Sequence, residues 1–223
     1  TFASAFTPYN YGPSNVYQTP LETYNMYSTI NYDVTDSVQV YATALFNENT
    51  VNTLIAPSGA FGDSVTVALN HPFLSDAQRN ASCAFDTDPA EGVYTPKFSQ
   101  SACDAAGAAT GPNDPNYLTY DTQLRRRNVE GGPRISEYTA RYYNFSLGVK
   151  GNIADNYQWD GMTSYGKSDQ TQVQKGYWLK SRFRQSLLAG PDGCNNTASG
   201  CVPVDWFGPT GSITPEMNAY LSG

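Results

Sequence analysis

Thr23 to Asp33 alternates with a period of two: Tyr24, Met26, Ile30 and Tyr32 fall on one side, and Thr23, Asn25, Thr29 and Asn31 on the other. Successive side chains of a strand leave opposite faces of the pleat, so this pattern predicts a strand with one apolar face. Val34-Thr35-Asp36-Ser37 is read as a polar turn. Beyond it Val38, Val40, Ala42, Ala44 and Phe46 alternate with Gln39, Tyr41, Thr43, Leu45 and Asn47. Two such runs joined by a short polar stretch predict a hairpin. The design returns downstream. Tyr143, Phe145, Leu147 and Val149 alternate with Tyr142, Asn144, Ser146, Gly148 and Lys150. Ile153-Ala154-Asp155-Asn156 is read as the turn into a strand where Trp159, Thr163 and Tyr165 oppose Asp160, Ser164 and Gly166. The expected strands lie near 22–33, 37–47, 137–152 and 157–170.

Between and after the hairpins the periodicity fades, and long loops rich in Gly, Pro and Asp are expected near 48–116 and 171–223. Short turns on one side and long loops on the other is the layout of an outer-membrane barrel, whose strands need about 9–11 residues to cross. On that layout the four-residue turns face the periplasm and the long loops face outward. The stretch 117–136 is open between an outward extension of the third strand and an extracellular hairpin of its own. The expected fold class is all-β, made of antiparallel strands.

Composition fits this pattern. Hydrophobic residues make up 39% and charged residues 15%, with 17 Tyr and 19 Gly, so uncharged polar side chains fill positions that a soluble domain gives to charges and core residues. The formal net charge of −7 argues against a general nucleic-acid partner, whose phosphates such a surface repels. Four cysteines allow three pairings, and proximity favours Cys83 with Cys103 and Cys194 with Cys201. Disulfides imply an oxidising compartment. A zinc site is not expected, because the spacings are wrong and the single His71 stands alone before Pro72.

Three blocks carry a family resemblance. Tyr9-Asn10-Tyr11, Gln18-Thr19-Pro20 and Leu21-Glu22-Thr23-Tyr24 resemble the run that opens a barrel strand in large proteobacterial TonB-dependent receptors. Arg125-Arg126-Arg127 with Glu130 and Gly132-Pro133-Arg134, followed by Gly148-Val149-Lys150-Gly151, is similar to a second stretch of that family. Gly200-Cys201-Val202-Pro203, Phe207-Gly208-Pro209 and Ser212-Ile213-Thr214-Pro215-Glu216 resemble one of its loops. The resemblance implies a transmembrane barrel of about 22 strands in the bacterial outer membrane, filled by a plug. It implies energised uptake of a scarce ligand such as a siderophore or glycan. The implied partners are outer-membrane lipid and lipopolysaccharide, the remaining barrel strands, and TonB acting through the plug. No plug, TonB-contacting box or closing aromatic-ended strand is recognised, so the chain is expected to be an internal piece of the barrel domain. Neither enzymatic activity nor a cofactor is expected.

Two readings are open for Arg125, Arg126, Arg127 and Arg134: a cationic lip for an anionic ligand, or pairing with Asp, Glu or lipopolysaccharide phosphate. Tyr177, Trp178, Phe183 and Trp206 either stack on a ligand or pack their loop. Asp86-Thr87-Asp88 lacks the Gly and closing Glu of a calcium loop. Trp159, Tyr32, Tyr41 and Tyr157 near the turns fit an interfacial girdle, with Tyr41 on the polar side. Two other functions remain. One is a secreted all-β binding or filament-forming module that pairs through its strand edges. The other is a β-rich hydrolase using a carboxylate pair such as Asp86 and Glu91.

Overall fold

The computed structural model describes residues 8–90, 92–154 and 157–222. In chain order the elements are β1 (Leu21–Thr35), β2 (Val38–Ile55), β3 (Gly59–Ala68), α1 (Asp76–Cys83), α2 (Gln100–Gly107), β4 (Thr119–Arg127), β5 (Arg134–Ile153), β6 (Tyr157–Lys175), α3 (Lys180–Leu187), β7 (Ala189–Gly190), β8 (Gly193–Cys194) and α4 (Pro215–Ser222). The chain is mainly antiparallel β in open sheets and divides into two compact units.

One unit is a four-stranded sheet in the order β1-β2-β5-β6. β1 pairs with β2 from Leu21↔Val51 to Thr35↔Val38, with a bulge between Asp33 and Thr35. The turn is thus Asp36-Ser37 alone, two residues shorter than the alternation suggests. β5 pairs with β6 from Ile135↔Lys175 to Ile153↔Tyr157 without a shift. Asp155 and Asn156, expected in the second turn, lie outside the described residues. β2 meets β5 through side chains that step along both strands together: Thr43 with Ser146, Glu48 with Arg141, and Thr50 with Thr139.

These registers put Tyr24, Met26, Ile30 and Tyr32 of β1 on the same face as Val38, Val40, Ala42, Ala44 and Phe46 of β2. Phe145, Leu147 and Val149 of β5 and Trp159, Thr163 and Tyr165 of β6 share a face in the same way. The three side-chain pairs join the two apolar sets across β2 and β5. The opposite face carries a polar ladder. Asn47 donates to Asn25, Thr43 bonds Ser146, Tyr41 donates to Asp160, and Gln39 donates to Asp33.

The apolar face does not run the whole strand. Above Phe46 and Tyr143 it gives way to Glu48 paired with Arg141 (2.7 Å) and Lys167 paired with Asp169 (2.9 Å). Each strand therefore has an apolar half next to the turns and a polar half beyond. Strands of 15, 18, 20 and 19 residues exceed the lengths expected from alternation, because β-pairing continues after the apolar period ends. The two turns share one end of this sheet, where the Asn152 N–H donates to the Ser37 carbonyl (3.0 Å). Residues 8–20, 56–133 and 176–222 all join the strands at their other ends.

The stretches expected as long loops are not structureless. Residues 56–134 and 176–222 fold together, with 8–14, into the second unit. The stretch 117–136 is neither a simple extension of β5 nor a hairpin of its own. Its Thr119–Arg127 part is β4, paired with β3 from Gly59↔Arg127 to Ala68↔Thr119. Ser75 caps α1 reciprocally with Gln78, and Ser99 accepts from Ala102 N–H at the start of α2. The Cys83–Cys103 disulfide ties these two helices, and Cys194–Cys201 staples the segment after β8. The core combines Val65, Val67, Leu69 and Leu74 with Phe183, Leu187, Trp206 and Leu221, so both long segments feed one interior.

His71 sits in that interior at 1% exposure. Its Nε2 donates to the Ser186 carbonyl (3.0 Å) while Nδ1 accepts from Phe73 N–H (3.3 Å), which fixes a neutral ring. Burial lowers its pKa to about 4, against the partial opposition of the Ser186 carbonyl and Asp205. The unfolded imidazole takes up its proton near 6.5, so the unfolded state binds more protons between pH 6.5 and 4. Stability is therefore expected to fall as the pH drops through that window, by roughly 3 kcal/mol, with no contribution above it. Chemical unfolding followed by tryptophan fluorescence at pH 7 and pH 4.5 measures the loss. His71→Leu is expected to be less stable at pH 7 yet to lose this part of the pH slope. An unchanged slope in the variant would place the titration elsewhere.

Candidate functional site

Strand alternation splits the arginine triplet of β4. Arg126 points away from its two neighbours, and its side chain is only 11% exposed. Its guanidinium donates to the carbonyls of Gly208 and Pro209, to Ser212 Oγ (3.1 Å) and to Glu130 Oε1 (2.9 Å). Glu130, 10% exposed, also accepts from Gly211 N–H (2.6 Å). A planar fork with five N–H groups suits such a cluster of carbonyls and one carboxylate. Arg126 is thus a clamp between β4 and the 208–212 turn, and not part of an open cationic lip.

Arg125 and Arg127 share the other side of the ribbon. Arg127 donates to the Pro57 carbonyl (2.8 Å) and lies over the rings of Phe61 and Tyr9, 4.5 and 5.1 Å from their centroids. Arg125 is exposed and passes over Gly62, where an added Cβ would come within 3.3 Å of its Nε. Gly62 has φ +102 at a bulge between Phe61 and Asp63, a conformation that glycine adopts without strain. Pro8, Tyr9, Asn10, Ala60 and Phe61 join Arg125–Arg127 around a cleft of ≈ 610 Å³. No Asp or Glu stands among those lining residues. Arg134 lies apart from the cleft, donating to the Ala56 carbonyl (2.8 Å) with Tyr177 under its guanidinium.

The aromatic candidates divide too. Trp206 is core at 2% exposure, crossed edge-on by Trp178 and Phe183 at 4.8 Å each, with its Nε1 donating to Ser186 Oγ (2.9 Å). It cannot stack on a ligand without unpacking that interior. Trp178 is half-buried and lines a second cleft of ≈ 380 Å³ with Phe61, Tyr177 and Phe183. Lys180 and Asp63, 3.6 Å apart, also line it. The Trp178 indole N–H is buried and has no hydrogen-bond partner among the described residues.

Cys83, Cys103, Cys194 and Cys201 are all consumed in the two disulfides. Asp86 accepts from the N–H groups of Asp88 (3.1 Å) and Thr95 (3.2 Å), which makes it a turn residue. Glu91, its suggested catalytic partner, lies outside the described residues. No cluster of three or more potential metal ligands occurs among the described residues. Sequence reasoning missed Tyr9 and Phe61, the aromatic half of the larger cleft. The one signal for Phe61 is its setting between Ala60 and Gly62, where an exposed apolar residue interrupts a run of small ones.

Arg126→Ala leaves the Glu130 carboxylate buried without its counter-charge, and breaking such a pair costs about 3–5 kcal/mol. Chemical unfolding is expected to show a loss of that size, while Lys175→Ala, at an exposed position of β6, changes stability by no more than about 0.5 kcal/mol. Equal losses for the two variants would contradict the clamp. Comparison with known proteins assigns no family to this arrangement: no protein-family model and no curated protein matches the chain.

Proposed function

We propose that this chain is part of the barrel wall and outward-facing loops of a TonB-dependent outer-membrane receptor that imports a scarce ligand. One observation carries the reading: the registers gather the apolar positions of four strands on one face, next to the turns, over about the nine or so residues that a tilted strand needs to cross a bilayer. Tyr32 and Trp159 lie at the turn end of that band, with Tyr24, Tyr143 and Tyr165 toward the other, as aromatic girdles do. The ion pairs Glu48–Arg141 and Lys167–Asp169 come just beyond it, at the depth where water returns.

In this reading the polar ladder through Tyr41, Thr43 and Asn47 faces the lumen. The outer edges of β1 and β6 are unpaired among the described residues, and unpaired backbone is costly in lipid. Further strands of a barrel of about 22 supply their partners. Lipid and lipopolysaccharide contact the apolar band and the strands beyond it, and TonB acts through a plug. The competing reading is a secreted module whose open edges pair between copies, which the same β1 and β6 edges favour.

Spin labels test the choice on the full-length receptor in bilayers. Labels at Ile30, Val40 and Leu147 are expected to be relaxed by dissolved oxygen, and labels at Asn31, Gln39 and Ser146 by a water-soluble paramagnet. Leu147→Arg, near the middle of the band, is expected to cost about 2–4 kcal/mol, and Ser146→Arg much less. Absence of alternation, with both faces open to water, would sink the transmembrane reading and leave the secreted module.

A further inference from the structure

We infer that the polar face of the four-stranded sheet, in the half away from its turns, is a binding track for a neutral oligosaccharide. Charge divides sharply between the two faces of that half. Glu48, Glu137, Arg141, Lys167, Asp169 and Lys175 all belong to the face that carries the apolar band. Over 21–31, 41–55, 136–148 and 162–174 the polar face holds no Asp, Glu, Lys or Arg. Its charged residues, Asp33, Lys150 and Asp160, gather at the turn end. Contact with water does not require this sorting, since a wet surface accepts charged side chains readily. Amides and phenols stand in their place: Asn25 opposite Asn47, Tyr138 opposite Gln172, and Gln170 one step along β6.

A side-chain amide both donates and accepts, as do the neighbouring hydroxyls of a sugar ring. Asn47 donates to Asn25 and accepts from Asn49, and Gln172 donates to the Tyr138 hydroxyl (3.0 Å), so these amides are held in place with bonding capacity left over. Part of the ordering cost of binding is therefore met before the ligand arrives. Gln170 and Gln174 are exposed, and their amides have no hydrogen-bond partner among the described residues. Tyr27 and Tyr142, 67% and 39% exposed, add flat rings on which the apolar side of a sugar can lie. A charged ligand finds no counter-charge here and loses hydration without compensation, whereas a neutral one exchanges bonds to water for bonds to amides. From Gly166 to Gln174 the strip runs about 27 Å along β6, enough for several sugar residues in a row.

The inference names a ligand class for the uptake reading and rests on that reading for the lumen position of this face; binding itself needs no bilayer. Calorimetric titration of the full-length protein in detergent tests it with three probes: maltohexaose, cellohexaose and citrate. At least one of the two hexaoses is expected to bind saturably and more tightly than citrate, with an affinity that does not change as salt is raised. Gln170→Ala and Tyr142→Ala are each expected to weaken that hexaose about 2–10-fold. Thr171→Ala, one residue along β6 and on the opposite face, should leave it unchanged. Unfolding of Gln170→Ala like that of the parent protein shows that the variant is folded. Absence of saturable binding by both hexaoses, tighter binding of citrate, or binding indifferent to both Gln170→Ala and Tyr142→Ala would each overturn the proposal. Hexaose binding alongside failed bilayer accessibility would keep the track and remove only the membrane reading; bilayer alternation without hexaose binding would keep the receptor and remove the track.

Discussion

The pairing of β2 with β5 is the constraint on which the rest of the structure depends. The two strands are separated by the whole of 56–133, yet Thr43 meets Ser146 and Glu48 meets Arg141. Sheet side chains alternate strictly, so a slip of one residue here would set the apolar face of β1 and β2 beside the polar face of β5 and β6. The backbone ladder alone does not forbid that slip. The Glu48–Arg141 pair and the Thr and Ser contacts oppose it, because each would exchange an opposite-charge or hydrogen-bonding neighbour for a mismatched one.

That pairing also brings Ile55 and Arg134 to the same end of the sheet, closing the intervening segment into a long loop. Loop closure costs entropy only slowly with length, and the inserted unit offsets it by burying Val67, Leu69, Phe183, Leu187 and Trp206 together. Cys83 and Cys103, 20 residues apart, reduce the freedom of the unfolded chain further, by roughly 3 kcal/mol on the chain-entropy account. Gly59 faces the backbone so closely that an added Cβ would lie 2.4 Å from the Arg126 carbonyl oxygen, so the first position of β3 has no room for a side chain.

The four long strands were legible in the sequence because each repeats its alternation over enough residues to define a face. Their upper halves were not, since Glu48, Arg141, Lys167 and Asp169 break the apolar period while the hydrogen bonding continues. The inserted unit was hidden for a different reason. Its interior draws Val65, Val67 and Leu69 from one stretch and Phe183, Trp206 and Leu221 from another, and its helices of eight residues bury only two or three side chains each. Windows that short carry little periodicity. Within the site, three adjacent arginines were visible, but their division followed only from knowing that 119–127 is a strand. Tyr9 reaches Arg127 through tertiary structure that no local pattern records.

The shared interior has a consequence for how such a protein can diversify. His71 donates its proton to a carbonyl of α3, and Gln78 of α1 donates to the Phe207 carbonyl (3.1 Å), so each long segment is cut to the shape of the other. Neither can be replaced by a segment of different shape without reshaping its counterpart. Substitutions outside the common interior, at exposed positions such as Phe85 and Val93, leave that mutual fit untouched.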